Sequence, residues 1–167
     1  PETGFLYVPS RNVHSVMRFR EPGDDDEGAT LQYLLSRGNA PFIEGGNDRR
    51  TPQMPRGLPL WKPPYSRVTA IDMNRGEILW QVAHGETPDR IKRHPALDGL
   101  NVPRTGQAGA VGALVTKTLV IMGEPLVTMT ETGTRGAMLR AYDKATGEDV
   151  EAVYMPAQQS GSPMTYL

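Results

Sequence analysis

Three histidines, His14, His84 and His94, are the groups in this chain best suited to moving a proton near neutral pH, and no two of them stand at metal-ligand spacing. The sequence has no cysteine, which excludes thiolate metal sites and disulfides. The acidic run Asp24-Asp25-Asp26-Glu27 lacks the alternating oxygen ligands, fixed Gly and terminal Glu of a calcium loop, so it reads as a hydrated surface turn. Gly106, Gly109 and Gly112 have the look of a dinucleotide-binding loop, but a β-strand rather than a helix follows them. No Gly-x-Ser-x-Gly, phosphate-binding Gly loop or His-Glu-x-x-His occurs. His84, set between a strand end and Gly85, reads as a loop residue with a satisfied hydrogen bond. The residues themselves therefore nominate no catalytic group and no metal ligand.

The elements that would have to position any such chemistry announce themselves through a phrase used twice. Ala70-Ile71-Asp72-Met73-Asn74-Arg75-Gly76-Glu77-Ile78-Leu79-Trp80 and Ala141-Tyr142-Asp143-Lys144-Ala145-Thr146-Gly147-Glu148-Asp149-Val150-Glu151 place Ala, Asp and Gly at the same offsets. Each phrase follows an alternating apolar strand, Val68–Ile71 or Met138–Tyr142. Asp accepts from the backbone two residues on, Gly takes a positive φ, and a return strand follows, Ile78–Val82 or Val150–Tyr154. Hairpins repeated at this spacing imply a β-propeller, in which each sheet covers the apolar face of the next. Trp80 is large enough to cover such a joint and can also donate its indole N–H.

The repeated phrase resembles the tryptophan-docking motif of the pyrroloquinoline quinone (PQQ) dehydrogenases, Ala-x-Asp-x-x-Thr-Gly-x-x-x-Trp. The first copy matches at Ala70, Asp72, Gly76 and Trp80, with Arg75 in place of Thr. The second matches at Ala141, Asp143, Thr146 and Gly147, with Glu151 in place of Trp. Lys62-Pro63-Pro64-Tyr65, His84-Gly85-Glu86-Thr87-Pro88-Asp89, His94-Pro95-Ala96-Leu97, Asn101-Val102-Pro103-Arg104-Thr105-Gly106 and Gly161-Ser162-Pro163-Met164-Thr165-Tyr166 resemble the C-terminal part of the membrane-type glucose, polyol and quinate dehydrogenases of that family. The likeness runs from about Leu58 to the end and is weaker over residues 1 to 57.

That resemblance implies an all-β, antiparallel partial propeller of a periplasmic enzyme that oxidises sugar or polyol hydroxyls with PQQ and Ca²⁺ and passes electrons to a quinone, its membrane anchor lying outside this chain. The loops that would face the cofactor are residues 84 to 112, 123 to 137 and 155 to 163, with Gly112, Arg135, Gln158, Gln159 and Ser160 as candidate cofactor contacts. The base, the calcium ligands and the aromatic platform beneath the quinone would come from other blades, so this piece alone is expected to be inactive and to hold no cofactor tightly. Related glucose dehydrogenases often carry an Asp before the Leu-Arg-Ala-Tyr strand, where this chain has Gly136. The alternative is a non-catalytic propeller scaffold that binds proteins, and a third reading is an independent small β-domain.

Length and composition set the bounds. Eighteen Gly and fifteen Pro in 167 residues imply many turns, and 38% apolar residues suffice for one core. A net charge of −1 gives no electrostatic reason to bind nucleic acid. No eighteen-residue apolar run and no signal-like N-terminus occurs. A four-strand blade takes roughly 40–45 residues, so the expectation is a piece of a larger ring. Residues 1–83 would end one blade with a long insertion, 84–155 would form one blade, and 156–167 would start the next. Open end faces should drive self-association.

Along the chain, Phe5–Val8 and Val13–Phe19 read as a hairpin turned by residues 9–12, Leu31–Leu35 as a short strand or helical turn, and residues 36–64 as an extended connection. Thr87 is expected to cap a helical turn with Pro88 in its first position. Strands are expected at Ala113–Thr116 and Leu119–Met122, a loop from Gly123 to Gly136, and a last strand from Met164.

Overall fold

The computed structural model describes residues 3–14, 17–19, 43–45, 52–130 and 132–165. Its strands are β1 (Phe5–Arg11), β2 (Met17–Phe19), β3 (Ile43–Gly45), β4 (Ser66–Asp72), β5 (Glu77–Ala83), β6 (Leu114–Val115), β7 (Leu119–Gly123), β8 (Thr128–Met129), β9 (Arg135–Asp143) and β10 (Asp149–Met155), with an α-helical turn, α1 (Asp89–Lys92), and a 3₁₀ turn (Pro95–Leu97) after β5. The chain divides into two units, Pro1–Asn12 with Pro63–Leu167, and Val13–Lys62. In the second unit β2 pairs antiparallel with β3, Gln53 bridges Pro59, and His14 stacks on Trp61 with centroids 4.4 Å apart.

The first unit holds two antiparallel sheets, one of three strands ordered β1-β4-β5 and one of five ordered β10-β9-β7-β6 with β8 on the far end of β9. The expected hairpins at 68–82 and 138–154 and the strands near 113–122 are present. The pairing expected for the N-terminal strand is not. β1 runs through Pro9 to Arg11 and pairs with β4, from Phe5↔Asp72 to Arg11↔Ser66, instead of folding back on Val13–Phe19. β1 is an edge strand, the one position in a sheet where a proline without an N–H is tolerated. β4 lies between two neighbours and buries Val68, Thr69 and Ala70. The 123–136 connection also carries the short strand β8. The acidic run and Leu31–Leu35 lie outside the described residues, and residues 156–165 carry no strand among them.

Both hairpins are built alike. Asp72 Oδ1 accepts from Asn74 N at 2.9 Å, and Asp143 Oδ1 accepts from Ala145 N and Thr146 N at 2.8 and 2.9 Å. These are Asx-type turns that reverse the chain without helix or ladder partners. The registers coincide too. Ala70 opposes Trp80 and Ile71 opposes Ile78, while Ala141 opposes Glu151 and Tyr142 opposes Asp149. Each return strand thus carries one extra residue, Leu79 or Val150, at the same place. This bulge re-aims the side chain that follows it.

In the first hairpin that side chain is Trp80, and it makes the joint. Its indole lies over Gly147 of the second hairpin, its Nε1–H donates to Lys144 O at 3.2 Å, and Tyr7 Oη donates to the same oxygen at 3.0 Å. Around this contact Tyr7, Val68, Ala70 and Trp80 from one sheet pack with Val120, Met122 and Tyr142 from the other. The core of the unit is thus the interface between its two sheets.

The α1 turn differs in its cap. Pro88 itself occupies the cap position with no side-chain hydrogen bond, and Thr87 Oγ1 accepts instead from Thr105 N at 3.1 Å. Thr87 is buried within the 84–112 loop, where tying two segments of that loop together satisfies an otherwise orphaned N–H.

Candidate functional site

His84 begins the loop after β5 and is fully buried. Its Nε2 lies 3.0 Å from Gly123 O, a group that only accepts, so Nε2 carries the proton. Nδ1, 2.9 Å from Tyr142 Oη, then accepts from the phenol. Burial lowers the His84 pKa to about 4, helped by the nearby Arg140 and Arg104 and opposed by the Gly123 bond. Burial likewise pushes the Tyr142 phenol well above its ordinary range. This neutral, doubly bonded imidazole locks the loop after β5 to the end of β7 and to β9, and it has no spare lone pair for a substrate.

Beside it lies a buried ion pair. Glu124, fully buried, accepts from Arg140 Nε at 2.8 Å and from Met138 N at 3.2 Å. Burial works against the charge of Arg140, but the Glu124 carboxylate more than restores it, and the guanidinium pKa is raised. Arg140 continues toward Asp149 at 3.7 Å and Glu86 at 3.9 Å, and Asp149 is also bridged by Arg104. This network was missed in the sequence, although one signal was present. Arg140 shares strand parity with Tyr142, so a charge falls on the core-facing side of β9 and demands a partner.

Of the candidate cofactor contacts, Gly112 and Gln159 come together. Gln159 Nε2 donates to Gly112 O at 2.9 Å and to Gly161 O, while its Oε1 accepts from Gly123 N. Its backbone N–H donates to Glu124 O at 2.9 Å. The Gln159 amide is thereby committed to the chain itself, and Gln158 and Ser160 stand exposed on either side. Arg135 is exposed at the start of β9, where its carbonyl accepts from Tyr154 Oη at 3.1 Å. Next to it Gly136 is buried. A Cβ there would stand 2.7 Å from Met155 O and inside the Tyr154 ring, so no aspartate fits while Tyr154 holds this place.

Two antiparallel sheets, built from hairpins of identical register and sealed by an indole over the neighbouring turn, define a blade-repeat β protein. The sequence matches across residues 1–167 the family described as PQQ: glucose/ethanol/alcohol dehydrogenase, beta-propeller domain, and the chain belongs to that family. It is 33% identical over 116 residues to a probable quinate dehydrogenase (quinone) of Xanthomonas campestris pv. juglandis, covering 66% of this chain and 13% of that protein. It is 28% identical over 116 residues to quinate/shikimate dehydrogenase (quinone) of Acinetobacter baylyi, covering 66% of this chain and 12% of the relative. Over 113 residues it is 28% identical to quinoprotein glucose dehydrogenase A of Acinetobacter calcoaceticus, covering 67% and 13%. The matched segment thus spans about an eighth of the length of these relatives. No solved structure matches significantly.

Against that family the described residues can be tested for fit. No group of three or more His, Asp or Glu side chains among them converges to hold a metal ion. An acidic quinone would need several convergent donors, yet the Gln159 donors are turned inward and no hydrogen bond among the described residues joins Arg135 to Gln158 or Ser160. The described residues do not by themselves build a holder for PQQ or for Ca²⁺. Among the described residues no helix is long and apolar enough to cross a membrane.

Proposed function

We propose that this chain is a sector of a periplasmic quinoprotein dehydrogenase that oxidises a hydroxyl of a sugar or cyclic polyol with PQQ and passes the electrons to a quinone. The observation that carries this reading is the family match across all 167 residues, joined to the Trp80–Gly147 contact that docks one hairpin sheet on the next. In this reading residues 1–83 close one blade, 84–155 form a second, and 156–167 lead into a third. PQQ, when bound with Ca²⁺, supplies the hydride acceptor.

The contribution of this segment is positional. Gln159 fixes the 156–163 loop against Gly112 and Gly123, and Gln158 and Ser160, exposed on either side of it, are the side chains of that loop that would meet the cofactor. His84 and Glu124 hold the bases of the 84–112 and 123–134 loops. The base and the calcium ligands come from residues outside this chain, so the chain alone leaves the barrier in place.

The test has two arms. The whole gene product that carries this segment, loaded with PQQ and Ca²⁺, is assayed for dye-linked oxidation of quinate and glucose, and the chain alone is assayed in parallel. Turnover by the first and none above free PQQ by the second is expected. A whole protein that neither binds PQQ nor turns over would leave the scaffold reading in its place, and turnover by the chain alone would refute the division of labour.

A further inference from the structure

The second unit carries a small hairpin outside the named strands. Leu60 N donates to Pro52 O and Met54 N to Leu58 O, each at 2.8 Å, around the Gln53–Pro59 bridge. The chain reverses at Pro55-Arg56-Gly57, where Gly57 has φ +89° and its N–H closes the turn on Met54 O at 2.8 Å. Alternation about the bridge puts Pro52, Met54, Leu58 and Leu60 on one face and Gln53 and Pro59 on the other. Pro59 is buried, whereas on the wholly apolar face Met54 is 42% and Leu60 54% exposed. Trp61 follows directly, 38% exposed, with His14 stacked on its ring. Apolar side chains gathered in the open like this mark a contact surface.

Charge is sorted along the same unit. All the carboxylates of Val13–Lys62 fall at or before Asp48, and from Arg49 to Lys62 the sequence holds four cations and no carboxylate. Two of these cations, Arg56 at the turn and Lys62 beside Trp61, are exposed on the hairpin itself. An indole and aliphatic side chains set among long cations suit a bilayer surface, where the ring lies at headgroup level and the charged ends reach phosphate. The core of a protein interface instead depletes lysine. The local positive excess selects an anionic surface over a neutral one.

We propose that residues 52–62 dock this chain on an anionic membrane surface, with Met54, Leu60 and Trp61 entering the headgroup zone and Arg56 and Lys62 meeting lipid phosphates. The contact is interfacial, made by a hairpin too short to span a bilayer, and it is separate from any spanning anchor. It rests on these side chains alone and stands apart from the redox reading, because docking requires neither PQQ nor Ca²⁺.

The test is co-sedimentation of the full chain with vesicles of phosphatidylglycerol and phosphatidylcholine in equal parts, against vesicles of phosphatidylcholine alone. Half-binding to the anionic vesicles is expected at lipid on the order of millimolar, and at least about tenfold weaker binding to the neutral ones. Brominated acyl chains should quench Trp61 and leave the emission of Trp80, 9% exposed in the sheet joint. Lys62→Gln should weaken anionic binding about fivefold, the effect of one cation near the surface. Leu60→Ser, at an exposed position, should weaken it by roughly fivefold with an unchanged circular dichroism spectrum. Val153→Ser, on the exposed strand β10, should leave it unchanged. No sedimentation, equal binding to both vesicles, an unquenched Trp61, or Leu60→Ser binding like the parent chain would each overturn the proposal. Self-association that Leu60→Ser abolishes, without vesicle binding, would overturn it in favour of a second copy of the chain.

Discussion

The joint between the sheets is open to a double-mutant test in which each term can be assigned from the geometry. Trp80 is 9% exposed, donates to Lys144 O and stands 5.8 Å from the Tyr7 ring, so Trp80→Ala removes a buried aromatic and its hydrogen bond. The expected cost is about 3–5 kcal/mol. Gly147 has φ +78°, and a Cβ placed there would lie 2.6 Å from the indole Cε3. Gly147→Ala should cost about 1–2 kcal/mol for the left-handed backbone and about 1–3 kcal/mol more for forcing the indole away. Only the first of these survives when Trp80 is already Ala. The two changes should therefore couple by at least about 1 kcal/mol, the double variant being more stable than additivity allows. Guanidinium denaturation followed by far-ultraviolet circular dichroism measures all four proteins, since Trp80→Ala deletes one of only two tryptophans and compromises fluorescence. Coupling within about 0.3 kcal/mol of zero would show that the indole does not sit on Gly147.

His84 makes stability pH-dependent in a defined window. Its folded pKa of about 4 lies below its ordinary 6.5, so the neutral form belongs to the fold, and the stability it contributes is complete above pH 6.5 and lost as pH falls toward 4. The gap corresponds to roughly 3 kcal/mol at 1.36 kcal/mol per pKa unit, and denaturation midpoints between pH 7.5 and 4 should fall more steeply for the parent chain than for His84→Gln; parallel curves would refute the assignment. Gly106 has φ +72° and a Cβ there would meet Ser66 O at 2.5 Å and His84 O at 2.8 Å, so Gly106→Ala should cost about 2–5 kcal/mol, against about 1–2 kcal/mol for Gly76→Ala, whose Cβ meets nothing; equal losses would disprove the close approach. Ile78, Val150 and Val153 are exposed on the outer strands β5 and β10, and self-association of the isolated chain is expected in sedimentation at rising concentration; a monomer throughout would contradict it.

The parts of the fold that were legible in the sequence are those whose information is local. Alternation marked β4, β5, β7, β9 and β10, and the Asp-to-Gly phrase marked both turns, because strand period and turn chemistry are set by neighbouring residues. The partner of β1 was not legible. Phe5 meets Asp72 across an intervening segment of the second unit, and a local hairpin with residues 13–19 was the nearer choice. Thr87 misled for a related reason: its type suits a helix cap, but the N–H it serves belongs to Thr105, eighteen residues on. The polar network was legible only in part. His84 read as a satisfied loop residue, but its partners Gly123 and Tyr142, and the Glu124–Arg140 pair, depend on tertiary register that no spacing rule supplies.

The two copies of the phrase separate two jobs that a motif search treats as one. Asp72 and Asp143 build equivalent turns, and Leu79 and Val150 mark the same bulge, so the local geometry of the hairpin survives in both. The residue that the bulge re-aims differs. In the first hairpin it is Trp80, which reaches across to Lys144 and Gly147. In the second it is Glu151, exposed and accepting from the adjacent Ala152 N at 3.1 Å. A glutamate at this place donates nothing to a carbonyl and covers little apolar surface, and Tyr154 is held at Gly136 with its hydroxyl on Arg135 O. The turn therefore follows from Asp and Gly alone, whereas the joint requires the indole. Glu151→Trp should therefore leave the Asp143 turn and the Val150 bulge intact, which an unchanged far-ultraviolet circular dichroism spectrum would check and a lost β signal would refute.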